Sequence, residues 1–171
     1  GHEVPFSKGL STGPMLMAAH AGEIDFFYNL GGNLVETMPR PQWVKEAFER
    51  VRLRIHQDIN INTSMLVDPA DTVIVLPAQT RYEQRGGGTS TSTERRIRFS
   101  PEIPGHPVVG ETRPEWEIPG LVAAAARPEL KEALCFESSQ AIRNEMAETM
   151  PVYEKINTLS QEGDHWQWGG P

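Results

Sequence analysis

The hydrophobic positions of this chain switch between helical and extended periods, and the switches predict its elements. Pro14 to Ala21 reads as a helix, opened by Ser11 or Thr12 and closed at Gly22. Ile24 to Leu30 (IDFFYNL) is almost wholly apolar, reads as a strand, and stops at the turn signal Gly31-Gly32-Asn33. Val44, Ala47, Phe48 and Val51 fall at i, i+3, i+4 and i+7, which predicts a helix from Pro41 to about Arg52. Leu53 to Asp58 (LRIHQD) and Thr72 to Leu76 (TVIVL) follow as strands. Strand, helix and strand with short connections make a βαβ unit. VIVL, continuously apolar, is expected to be buried on both faces of a parallel sheet. Glu94 to Phe99 (ERRIRF) alternates and reads as a further strand.

Beyond Pro101 the pattern changes to a proline-rich connection, then to helical spacing. Ile118, Leu121, Val122 and Ala125 predict one helix, Glu129 to Leu134 a short one, and Ser139 to Met150 another. The end, GDHWQWGGP, reads as irregular, with Trp166 and Trp168 expected to be exposed or covered by a partner. The expected fold class is therefore α/β: a Rossmann-like parallel sheet flanked by helices, with a helical C-terminal tail. Residues 1–126 are expected to form the sheet domain and 127–171 the tail.

Composition narrows the function classes. The chain has 171 residues, 38% of them hydrophobic, and a mean hydropathy of −0.44. No apolar run approaches the roughly 18 residues of a membrane span, and no signal-peptide pattern opens the sequence. One cysteine, Cys135, excludes a disulfide framework and a cysteine-built metal cage, and points to a reducing, cytoplasmic compartment. A net charge of −7 argues against a nucleic-acid partner.

Chemistry in an open parallel sheet gathers outside the carboxyl ends of its strands. The first such place is Gly31-Gly32-Asn33 through Thr37, where paired glycines let backbone N–H groups approach an anion. The same glycines serve equally as a turn that ends a strand. At the end of the next strand, Asp58 is placed to accept from a ribose hydroxyl or a guanine edge, or merely to cap Asn60 to Thr63. His56 beside it reads as a packed histidine. The third place is Thr80 to Arg96 (TRYEQRGGGTSTSTERR), either a flexible loop or a cradle for phosphate or pterin edges. No Walker motif, strict GxGxxG, HExxH, CxxC or G-x-S-x-G is present. Neither catalytic nor metal-ligating residues are expected: the chain offers places to hold a ligand but no engine.

Three segments carry a resemblance: NLGGNLVET, HQDININTSMLVDPADTVIVLPAQTRYEQRGGGTSTSTERR, and RPEWEIPGLVAAAA. Together they resemble one domain of the molybdopterin oxidoreductase superfamily, in its formate dehydrogenase-like group. The resemblance runs from about Gly9 to the WQWGG end. It implies a Rossmann-like third domain of a much longer catalytic subunit, holding one of two molybdopterin guanine dinucleotides that chelate molybdenum or tungsten. Gly31, Gly32, Asn33 and Thr37 match the family's loop around the nucleotide end of the cofactor. Gln57 and Asp58 match its Q-D pair, and Ser64 its neighbouring N-T-S position. Glu83, Gly88, Thr89, Thr91, Thr93, Glu94, Arg95 and Arg96 match the glycine/threonine stretch ending in T-E-R-R. Ser92 stands where many relatives have Asn.

The metal-ligating residue and the iron–sulfur cysteines of the family lie in other domains, and Cys135 matches none of them. The resemblance thus implies a fragment, inactive alone, whose partners are the remaining domains of the same polypeptide and a redox partner subunit. The rival expectation is a non-enzymatic interaction module that uses the acidic helical tail and terminal tryptophans. A stand-alone nucleotide hydrolase is the remaining alternative.

Overall fold

A computed structural model describes residues 7–105 and 107–169 and divides the chain into two compact units, Gly1–Leu76 and Pro77–Pro171. That division falls inside the expected 1–126 domain.

In the first unit, helix α1 (Thr12–Ala21) ends at Gly22, whose φ of 77° lets its N–H turn back to Ala18 and Ala19 carbonyls. Strand β1 (Phe26–Leu30) leads through the short helix α2 (Leu34–Thr37) to α3 (Pro41–Phe48), then to β2 (Leu53–Asp58) and β3 (Thr72–Pro77). The sheet order is β1-β2-β3, and β1 pairs with β2 in parallel from Phe26↔Leu53 to Leu30↔Gln57. The predicted α/β class and parallel sheet with flanking helices are present. Helix α3 closes at Phe48 rather than Arg52. Its last amides reach back only three residues (Val51 N to Phe48 O, 3.2 Å), because Leu53 N must already donate to Asp25 O to begin β2.

The core of this unit joins Leu16 and Ala19 of α1, Phe27 of β1, Val35 of α2 and Val44, Ala47 and Phe48 of α3, with Val51 and Val67. Nothing in it comes from β3. The expectation of a doubly buried β3 fails: Ile74 and Val75 are 39% and 45% exposed. An outer strand has a neighbour on one side only, and the helices of this unit spend their apolar faces on β1 and on each other. Central β2 behaves in the opposite way, with Arg54, Ile55, His56 and Gln57 all buried.

The second unit is built around an antiparallel sheet, β4 (Gly88–Thr91), β5 (Arg96–Ser100) and β6 (His165–Gln167), with helices α4 (Glu117–Ala126), α5 (Lys131–Leu134) and α6 (Ser139–Thr149) between β5 and β6. Ser138 caps α6 by accepting from Ala141 N at 3.1 Å. Two expectations are overturned here. Against the flexible-loop alternative, Gly88–Thr91 of the glycine/threonine stretch is one arm of a hairpin, Gly88↔Ser100 to Thr91↔Ile97, whose turn places Arg95 at φ 64°. The chain end is not irregular: Ile97 faces Trp166 across the β5–β6 pair. Trp166 and Trp168 pack against the buried cluster Ile97, Phe99, Ile156 and Leu159. The two tryptophans are half-buried against their own unit's core. Among the described residues, no helix is long and apolar enough to cross a membrane.

Candidate functional site

In a parallel pair both strands end at the same edge, so the segments after Leu30 and Asp58 emerge side by side. Gly31 N donates to Gln57 O at 2.8 Å and extends the ladder by one bond. Gly31 and Gly32 then take φ of 65° and 82°, and a Cβ built at either would meet nothing within 4 Å. The backbone here needs glycine for its conformation rather than for internal packing, and its outer side is open to close approach. Asn29 holds the turn from below through Nδ2 to Gly32 O, 3.0 Å.

A network of short side chains ties this turn to the segment after β2. Ser64 Oγ donates to Asn33 Oδ1 at 2.8 Å and accepts from Val35 N at 3.1 Å. Asn33 Nδ2 reaches Thr63 Oγ1 at 3.3 Å, and Thr63 Oγ1 donates to Glu36 Oε1 at 2.7 Å. Asn62 Oδ1 accepts from Ser64 N at 3.1 Å and so opens the 3-10 turn Thr63–Leu66. Thr37 donates its hydroxyl to Asn33 O at 2.9 Å, a bond within its own helical turn.

Asp58 fulfils the local reading. Its Oδ1 accepts from Ile59 N at 2.7 Å and from Asn60 N at 3.5 Å, and its Oδ2 from Asn62 Nδ2 at 3.0 Å. A carboxylate offers about four acceptor directions. Oδ2 therefore retains capacity for a further donor, whereas a bidentate pair would have to displace a local bond. Gln57 is buried and takes the Tyr28 hydroxyl at 2.7 Å, and burial raises the Tyr28 pKa.

Beneath the loops lies a buried polar layer. Arg54, fully enclosed, donates from Nη1 to Ser64 O at 3.2 Å and from Nη2 to Val67 O, with its guanidinium 5.2 Å from the Phe48 ring centroid. Burial depresses its pKa. His56, also fully enclosed, is pushed down to about 4 by burial and then by the Arg54 charge. It is a neutral, packed ring: Asn29 Nδ2 donates toward Nδ1 at 3.5 Å, which leaves the proton on Nε2. Reading the sequence for strand-end loops overlooked Asn29, Arg54 and Asn62. For Asn29 the available signal was a polar residue inside the otherwise apolar strand FFYNL, and for Arg54 a charge near the start of LRIHQD; Asn62 lies outside any strand.

The remaining candidates belong to the second unit. Glu83 accepts from Thr80 N at 2.8 Å and from Thr80 Oγ1 at 2.7 Å. Gly88, Thr89 and Thr91 form β4, with Thr89 opposite Phe99 and Thr91 opposite Ile97. Thr93, Glu94 and Arg95 are exposed on the hairpin turn. Glu94 is held below the usual carboxylate range by the Ser92 hydroxyl first, then by its own amide and Thr93. Arg95 donates to Gly169 O at 2.8 Å and lies 5.7 Å from the Trp168 ring centroid. The structure thus gathers Gly31, Gly32, Asn33, Thr37, Gln57, Asp58 and Ser64 at one edge of the parallel sheet, and Glu83 and Gly88 to Arg96 around a separate hairpin. Among the described residues, no three His, Cys, Asp or Glu side chains cluster in metal-binding geometry.

A family model for molybdopterin oxidoreductase matches residues 1–125, a span that contains every candidate from Gly31 to Arg96. The chain belongs to the molybdopterin oxidoreductase family. Its curated relatives include a nitrate reductase of Synechocystis, 34% identical over 114 residues, which cover 64% of this chain and 14% of that protein. A protein named as a formate dehydrogenase in Staphylococcus haemolyticus is 28% identical over 98% of this chain and 16% of its own length. The alpha subunit of a formate dehydrogenase from Methanocaldococcus jannaschii is 28% identical over 94% of this chain and 22% of its own. The chain therefore spans less than a quarter of the length of these molybdopterin oxidoreductase relatives.

Proposed function

We propose that this chain is a cofactor-binding domain of a formate dehydrogenase-like oxidoreductase and holds the guanine dinucleotide end of a molybdopterin cofactor. The observation that carries this reading is the knitting of two strand-end segments by Ser64, which fixes the open Gly31-Gly32 backbone beside Asp58. Family membership supports it, since the matched span covers both segments.

The residues fit the nucleotide end of such a cofactor. Gly31 and Gly32 present backbone without side-chain obstruction; with the Gly31 N–H spent on Gln57 O, this suits the approach of a negatively charged group to the amides that follow it. Asp58 Oδ2 accepts one donor from the nucleotide, a ribose hydroxyl or a base N–H. Asn33 and Gln57 shape the floor, and Thr37 sets the helical turn behind the loop. The hairpin of the second unit carries a polar set of its own, Thr93, Glu94, Arg95 and Arg96, with Glu83 and Gly88 to Thr91 around it, and the nucleotide reading rests on the first unit alone. When bound, the pterin-held molybdenum or tungsten supplies the redox chemistry; this chain binds and orients the cofactor and contributes no proton-transfer group. Iron–sulfur clusters, a redox partner subunit and the substrate pocket belong, in this reading, to the rest of the polypeptide and its assembly. The single cysteine supports a cytoplasmic setting.

Equilibrium titration with guanosine diphosphate tests the reading. Loss of one charge-assisted bond should weaken binding of the Asp58→Ala variant about tenfold. Equal affinity of variant and wild type would overturn the assignment of Asp58.

A further inference from the structure

In the second unit, the period-two alternation of β5 sends Ile97 and Phe99 into the core and leaves Arg96 and Arg98 on the opposite face. Across the β5–β6 pair, His165 stands directly opposite Arg98 and Gln167 opposite Arg96. A chain with net charge −7 thus gathers two guanidiniums and an imidazole on one sheet face. They line a concavity of about 200 Å³ together with Phe99, Gly163 and Asp164.

We propose that Arg96, Arg98 and His165 form a binding site for a phosphoryl group. Among the described residues, neither arginine enters an ion pair, and Arg96 Nε is shielded from solvent without a hydrogen-bond partner. The neighbouring acids feel these cations, Glu94 that of Arg98 and Asp164, which lines the concavity, that of His165, but neither forms an ion pair with them and both accept hydrogen bonds within their own turns. Asp164 accepts from Ser160 N and Gln161 N, both at 2.9 Å, and Glu94 accepts the Thr93 hydroxyl at 3.0 Å. His165 Nδ1 lies 3.0 Å from Gly163 O and donates to it, which turns Nε2 into the nitrogen available to a ligand. Guanidinium forks match the oxygen spacing of phosphate better than that of any neutral ligand. The volume is below the roughly 300–1,000 Å³ of pockets that enclose a whole small molecule, so the site holds one charged group rather than an entire nucleotide. Arg96 is shared with the cofactor candidates above, whereas Arg98 and His165 are not among them, and the site stands on the geometry of this unit alone.

Titration of the 171-residue chain at low salt with inorganic pyrophosphate, guanosine diphosphate and acetate, followed by the His165 ring resonances, tests the proposal. Pyrophosphate should shift those resonances, and Arg98→Gln should weaken its binding about tenfold, as should Arg96→Gln. Both substitutions leave the apolar side of the sheet untouched. Equal affinity for pyrophosphate and guanosine diphosphate would make a free phosphate compound sufficient; tighter diphosphate nucleotide would make a nucleotide the source. Asp58→Ala should leave pyrophosphate affinity unchanged, which separates this site from the nucleotide loops of the first unit. Wild-type affinity in both arginine variants, or acetate binding as tightly as pyrophosphate, would overturn the proposal.

Discussion

Ser64 and Asn33 stand 31 positions apart in sequence, yet the Ser64 hydroxyl donates to Asn33 Oδ1 at 2.8 Å while accepting from Val35 N at 3.1 Å. One buried hydroxyl thereby fixes the turn after β1 to the turn after β2. The open glycine pair is held by hydrogen bonds, its own to Gln57 O and one from Asn29 Nδ2, together with the Ser64 bonds just beyond it.

Ser64→Ala should cost about 1–3 kcal/mol, because Val35 N and Asn33 Oδ1 lose a partner in a place water does not fill. Urea denaturation measures this. Hydrogen exchange should also rise selectively at Gly32 and Val35. A cost below 0.5 kcal/mol would mean that the network adds nothing to the loop's order.

His56 makes the first unit acid-sensitive. Its folded pKa, about 4, is below the unfolded value near 6.5, so between these pH values the unfolded chain binds more protons than the folded one. Stability from this residue is complete above pH 6.5 and declines as pH falls towards 4, by at most about 1.4 kcal/mol per pH unit. Denaturation of wild type and His56→Gln at pH 5 and 7.5 should show a steeper loss in the wild type. Parallel losses would contradict a buried neutral ring.

Two glycines with positive φ should respond differently to the same change. At Gly87, with φ of 66°, an added Cβ would lie 2.4 Å from Ser100 O, so Gly87→Ala should cost about 2–4 kcal/mol. Gly32→Ala meets only the left-handed penalty of about 1–2 kcal/mol, since nothing lies within 4 Å. In the nucleotide reading it should nonetheless weaken guanosine diphosphate binding through the new methyl group. Thermal denaturation and titration of both variants separate packing from access.

Trp166 belongs to the core of the second unit. Trp166→Ala should destabilise that unit by about 3 kcal/mol, read as faster exchange at the Ile97 and Phe99 amides. A tryptophan serving only to dock a partner would leave those amides unchanged.

The contrast between these elements explains what the sequence could and could not disclose. Strand β2 was legible to its end residues because LRIHQD lies between a helical period and a turn, and α1 because Gly22 stops it. The edge of the parallel sheet, with Gly31 and Asp58 side by side, follows directly from a βαβ pattern. The exposure of β3 was not legible, since an apolar strand looks the same whether or not something covers it. Hairpin β4–β5 was obscured by serines and threonines, whose pairing depends on Ile97 and Phe99 beyond the turn. Strand β6 pairs with residues about 70 positions earlier, a relationship that no local pattern encodes. Asp58 showed two readings in sequence; its local bonds are now visible, and they leave Oδ2 with room for one more donor.

The most direct measurement of the central claim is a residue-resolved amide spectrum recorded while guanosine diphosphate is added. The account predicts that Gly31, Gly32, Asn33 and Ile59 shift together along one saturating curve, and that Asp58→Ala flattens it. If these four amides stay still while the nucleotide moves resonances elsewhere, the edge of the parallel sheet is not where this chain holds a nucleotide.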